Sequence, residues 1–124
     1  MGGKFSRNKG ASFEREMANY FKEQWGLTEC RRGIQTRAGG KEAADIENAI
    51  IGCHLELKRV ERLSLSAAMR QAIDDSEGKI PVVISKKSRE PALVTVRLED
   101  LIPFARLCLL SLNSEQCLEE TTGS

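Results

Sequence analysis

Apolar residues recur at helical spacing between Ser12 and Gln24. Phe13, Met17, Tyr20, Phe21 and Trp25 fall on one stripe, and Gly26 closes the segment. This spacing predicts a helix with one face turned to a core. The preceding MGGKFSRNK at 1–9 is basic, Gly-rich and aperiodic, and predicts a mobile tail. Residues 28–33 predict a short strand, and 34–43 a loop holding Gly39 and Gly40. Two strands follow, DIENAII at 45–51 and CHLELKRV at 53–60, with a turn at Gly52. The second alternates: Cys53, Leu55 and Leu57 point one way, and His54, Glu56 and Lys58 the other.

Leu65, Met69, Ala72 and Ile73 are spaced for a second helix that closes near Gly78. IPVVIS at 80–85 is a nearly continuous apolar run, the kind of strand buried on both faces. KKSREP is a polar turn, ALVTVRL at 92–98 another strand, and Asp100 is placed to cap a third helix over 101–112. The order αβββαββα contains one parallel strand–helix–strand crossover, 53–60, 65–76 and 80–85. The expected fold class is α/β, a central mixed sheet flanked by helices. The organisation is a tail at 1–9, one domain at 10–112 and a polar tail at 113–124.

The chain has 124 residues, 40% hydrophobic and 30% charged, which describes one globular core and excludes wholesale disorder and fibrous proteins. It has no run of 18 apolar residues, so no membrane span is expected, and the polar N-terminus carries no secretory signal. The expected location is cytoplasmic. Net charge is +1, but it is unevenly spread: residues 1–41 carry nine Lys/Arg against four Asp/Glu, and 42–78 carry four against eight. The basic blocks can meet phosphates and the acidic middle can hold a cation. Cys30, Cys53, Cys108 and Cys117 lack CxxC spacing and share the chain with one histidine, so reduced thiols are expected rather than a zinc site or a disulfide framework.

Glu14 lies inside the apolar arc of the first helix, whereas Glu16 and Glu23 lie outside it. An inward carboxylate needs a partner, because a lone buried charge is costly; a metal ion, a lysine or a hydrogen-bond network would each serve. Glu56 and Lys58 share one face of a strand, and Asp45 opens the adjoining strand. If those strands are antiparallel neighbours, the Asp45 and Glu56 carboxylates converge. Converging carboxylates repel unless a cation lies between them. A hard divalent cation with oxygen ligands, Mg²⁺ or Mn²⁺, fits that need, and it can polarise a phosphodiester. An ordinary cross-strand Glu–Lys pair has the same local pattern.

A glutamate on the first helix, an aspartate at a strand start and E-x-K on the next strand form the layout of the PD-(D/E)xK nuclease superfamily. The sequence resembles its Holliday-junction-resolvase-like and phage endonuclease branch. The resemblance is carried by KGASFEREMANYF at 9–21, RAGGKEAADI at 37–46, HLELKRV at 54–60 and Gln71 in MRQA, and it spans about residues 9–105. It implies a restriction-endonuclease-like core and a Mg²⁺-dependent (or Mn²⁺-dependent) endodeoxyribonuclease with a role in DNA recombination. By the same resemblance Asp45 and Glu56 would be metal ligands, Glu14 a further ligand, Lys58 the catalytic lysine, and Gln71 an amide reaching the scissile phosphate or Lys58. Ala44 stands before Asp45 where the family name implies proline, a residue that shapes the backbone and supplies no ligand.

His54 shares the face of Glu56 and Lys58 and reads as a partly exposed strand residue without a catalytic task. Lys9, Gly10 and Ser12 precede the expected helix start, where free N–H groups attract phosphate. Arg31, Arg32, Arg37 and Lys41 are the remaining candidate DNA contacts. The third helix, LIPFARLCLLSL, is apolar on nearly every side, which suggests a subunit interface; branched DNA and a homodimer are the expected partners. The rival readings are a restriction-type or VRR-type nuclease, a non-catalytic nucleic-acid-binding protein on the nuclease fold, and an interaction protein whose E-x-K is accidental.

Overall fold

A computed structural model describes residues 2–33 and 45–112, and for residues 2–9 the backbone alone. The elements are α1 (Gly2–Trp25), β1 (Arg31–Arg32), β2 (Ile46–Glu47), β3 (Cys53–Arg59), α2 (Leu65–Asp75), β4 (Ile80–Lys86), β5 (Leu93–Thr95) and α3 (Leu101–Leu112). A 3₁₀ turn over Leu98–Asp100 leads into α3. The order is the expected αβββαββα, and the class is α/β.

The apolar stripe of α1 is buried as its spacing requires: Phe13, Met17, Ala18 and Phe21 all enter the main core. The helix stops at Gly26, whose φ of 72° turns the chain and lets the Leu27 N–H reach the Phe21 carbonyl at 3.2 Å. Its start differs from expectation. The helix begins at Gly2, not at Ser12: residues 2–11 hold no proline, and the packed turns beyond Phe13 propagate the helix back through Gly10 and Gly3 despite the cost of those glycines.

β3 and β4 pair in parallel, with Glu56 opposite Val83 and Lys58 opposite Ser85, and β5 adds antiparallel to β4. The parallel crossover read from 53–85 is therefore present. Leu55, Val82 and Ile84 face the core shared with α1, while Val83 packs under Ala68 and Ala72 of α2. Ser64 caps α2 by accepting from the Ala67 N–H at 3.3 Å. Ala68 and Ala72 are one helical turn apart and buried, so the apolar contact of α2 with Val83 is centred on two methyl groups. That close approach brings the longer side chains at Gln71 and Asp75 down to β3.

Several strands are shorter than expected. β2 ends at Glu47 because Asn48 takes a left-handed φ of 61° and its amide nitrogen donates to the Glu29 carbonyl. β2 pairs with β1, Arg31 opposite Glu47 and Arg32 opposite Ile46, and not with β3. Asp100 does not cap α3: it lies in the 3₁₀ turn and accepts from Arg97 Nε at 2.8 Å. No described helix is long and apolar enough to cross a membrane.

The alanine contact between α2 and the sheet generates one expectation. Ala72→Leu overfills a site with no exposed surface, and should destabilise the fold by about 1–3 kcal/mol in urea denaturation.

Candidate functional site

Asp45 is attached to the middle of β3 at two points. Its N–H donates to the Leu55 carbonyl at 3.2 Å, and its carboxylate accepts from the Leu57 N–H at 2.7 Å. The acid therefore sits at the edge of β3, flanking Glu56, as the sequence expected. The route differs. Asp45 joins β3 just ahead of β2, and β2 itself is held by β1. Ile46, 3% exposed, anchors the next residue in the main core.

Glu14, Glu56 and Lys58 all lie close enough to act on Asp45 electrostatically. Burial first, then the charges of Glu56 and Glu14, push the Asp45 carboxyl up from 3.8 to about 7, against the opposing pull of the Leu57 hydrogen bond and Lys58. Glu14 comes from α1 with its side chain 13% exposed and accepts from Arg32 Nε at 2.9 Å. The inward glutamate thus has a cationic partner. Lys58 donates from Nζ to Gln71 Oε1 at 3.0 Å, which couples β3 to α2. The structure brings Glu14, Asp45, Glu56, Lys58 and Gln71 to one region built from α1, β3, α2 and the start of β2.

His54 contradicts its sequence reading. It is 1% exposed, not partly exposed, and its Nε2 lies at hydrogen-bond distance, 3.0 Å, from Glu56 Oε1. The alternation of β3 is correct, but α2 covers its second face, so the His54–Glu56 side is as dry as the Leu55 side. Asp75 was missed. A ring nitrogen of His54 and carboxylate oxygens of Glu56 and Asp75 lie within 4.8 Å of one another. The available signal was spacing: Gln71 and Asp75 are four apart on a helix, facing a strand whose polar residues are two apart.

The candidate phosphate contacts fare unevenly. Ser12 is exposed on α1, but its backbone lies inside the helix, so Lys9, Gly10 and Ser12 do not form a helix N-terminus. Arg31 pairs with Glu47 at 3.1 Å and is 67% exposed. Arg32 is engaged by Glu14. Arg37 and Lys41 lie outside the described residues, as do the Lys9 side chain, Ala44 and Cys117. Cys30, Cys53 and Cys108 are free thiols; burial pushes Cys30 up to about 11 and Cys53 up to about 12, so both stay protonated and unreactive near neutral pH.

Three carboxylates with an ammonium beside them are the donor chemistry of a hard divalent cation. Asp45 feels the charges of both Glu56 and Glu14, and all three offer oxygens of the kind such an ion takes; the described ligand atoms that lie within 4.8 Å of one another are those of His54, Glu56 and Asp75.

The family model described as "Phage putative PDDEXK endonuclease" matches residues 5–106, so the chain belongs to that family, and its α/β architecture is restriction-endonuclease-like. No curated protein and no solved structure matches the chain.

The raised Asp45 carboxyl has a testable sign. In the metal-free fold it keeps its proton up to about pH 7, whereas an unfolded chain loses it near 3.8. The folded state therefore binds the proton more tightly, and Asp45 lowers stability as pH rises from about 4 to 7. In EDTA, urea denaturation of wild type should lose stability over that window relative to Asp45→Asn, with the difference levelling off above pH 7.

Proposed function

We propose that the chain is a divalent-metal-dependent endonuclease that hydrolyses DNA phosphodiesters and selects branched DNA by shape. The observation that carries this reading is the double attachment of Asp45 to β3 beside Glu56, with Lys58 two residues further along. Asp45 and Glu56 hold the cation, Mg²⁺ or Mn²⁺, and Glu14 adds a third carboxylate. The cation supplies Lewis-acid polarisation of the phosphate and eases ionisation of the attacking water.

Lys58 places its ammonium at the reacting phosphate, offsetting charge that builds on the phosphoryl oxygens as water attacks and the ester P–O bond breaks. Gln71 holds that ammonium through its amide oxygen and acts as a positioning residue. Arg32 balances Glu14, which keeps a third acid near Asp45 without an unpaired buried charge. Arg31, 67% exposed on β1 beside Glu47, meets a DNA phosphate in this reading, with Ser12, Arg37, Lys41 and Lys9 as further backbone contacts. A DNA substrate accords with a cytoplasmic location and a role in recombination.

A homodimer would supply two such sites for paired cuts. Leu101, Ile102, Leu109 and Leu110 of α3 are each about half exposed or more, as are Leu93 and Val94 on β5, the edge strand of its sheet. These exposed apolar residues are the surface offered to a second copy of the chain.

Incubation with four-way junctions, flaps, single strands and duplexes in Mg²⁺ or Mn²⁺ tests the reading. Wild type should cut junctions best, and Lys58→Ala should cut about 10²–10³-fold more slowly. Equal persistence of every substrate with wild type and Lys58→Ala would remove the endonuclease reading. Preference for linear duplex would replace it with a restriction-type enzyme. Sedimentation velocity should show a dimer that Ile102→Glu with Leu109→Glu dissociates.

A further inference from the structure

His54 is the only histidine in the chain, and it lies inside the protein. At 1% exposure it touches neither solvent nor a substrate outside the fold. Its environment is nonetheless polar. Nε2 lies 3.0 Å from Glu56 Oε1, and Glu56 is itself only 4% exposed. Asp75, from the last turn of α2, brings a carboxylate oxygen within 4.8 Å of both groups.

Glu56 has three rotatable bonds, and a buried carboxylate next to two other acids is pushed away from them. The strand fixes only its Cα. Something must hold the carboxylate against that repulsion if it is to serve one cation reproducibly. His54 lies two residues earlier on the same face of β3, and a hydrogen bond from its ring to Oε1 does this. The ring in turn is immobilised between the strand and α2.

Resting on the endonuclease reading above, we propose that His54 is a positioning residue: its Nε2–H fixes the Glu56 carboxylate through Oε1 and presents Oε2 to the divalent cation. His54 neither binds the cation nor meets the DNA. Nε2, once it donates its proton to Glu56, has no lone pair to offer a metal; Nδ1 keeps one, and His54→Gln separates that role from positioning. Partners of this kind, one bond behind the ligand, change metal affinity by about 10–100-fold when removed.

The test uses the full chain and Mn²⁺ as the probe, with isothermal titration and cleavage of a four-way junction read side by side. Glu56→Gln serves as the control for loss of a ligand. His54→Ala should weaken Mn²⁺ binding by about 10–100-fold, and its cleavage should fall at limiting Mn²⁺ and recover at high Mn²⁺. His54→Gln, whose side-chain amide places an N–H donor near the position of Nε2, should regain most of the lost affinity. A thermal melt in EDTA confirms that each variant is folded, and His54→Gln keeps the test decisive if His54→Ala is not.

Wild-type affinity in His54→Ala would overturn the proposal. So would a His54→Gln chain that is folded yet binds as weakly as Glu56→Gln, since that would make the imidazole itself a ligand. If wild type binds Mn²⁺ and the His54 series behaves as expected but no DNA is cut, the positioning role stands and the endonuclease reading falls. If wild type binds no Mn²⁺, both fall.

Discussion

The two-point attachment of Asp45 to β3 is the constraint on which the rest of the site depends. One aspartate behaves as a single residue of extra strand, giving its N–H to Leu55 and receiving the Leu57 N–H on its carboxylate. This geometry forces the acid to lie beside Glu56, an arrangement that electrostatics alone opposes. The cost is visible in the Asp45 carboxyl, which burial and its neighbours push up to about 7. The fold holds it there through adjacent apolar contacts: Ile46 is buried in the main core, and β1 holds β2 in place. A strained charge is thus fixed by packing one residue away, a common way for sites to hold groups they would otherwise expel.

β3 divides two chemistries. Its α1 face is hydrocarbon, built on Phe13, Met17, Phe21, Leu55, Val82 and Ile84. Its α2 face is polar yet equally dry, with His54 and Glu56 buried. Two successive polar residues on one face of a strand lie roughly 6.6–6.8 Å apart, and a four-residue step on a helix rises about 6 Å. The near match lets Gln71 meet Lys58 and Asp75 approach Glu56 and His54 at the same time. Ala68 and Ala72 set the height of α2 above the sheet. A larger side chain at either position would lift both rungs together, so two small apolar residues control the polar contacts without touching them.

Much of the fold is legible in the chain because it follows from periodicity. The α1 stripe, the alternation of β3 and the apolar run of β4 each reflect a local rule that burial enforces. Departures occur where another local interaction prevails. Asn48 adopts a left-handed backbone and stops β2, Asp100 pairs with Arg97 in place of capping α3, and the α1 backbone continues through a Gly-containing segment that reads as a tail.

The candidate site divides along the same line. Periodicity determined which faces of their own elements Glu14, Glu56 and Lys58 occupy, because a strand's two-residue repeat and a helix's 3.6-residue repeat are properties of the backbone; the strand pairing expected to carry Asp45 to Glu56 does not form, and Asp45 arrives through its own bonds to Leu55 and Leu57. Only the tertiary structure decided that His54 is buried against Glu56, that Arg32 answers Glu14 and that Asp75 joins the cluster. Each of those contacts joins residues from different elements, or depends on a helix covering a strand face. Local sequence carries no record of which face a distant helix will cover; that is settled when α2 closes over β3 and removes its water.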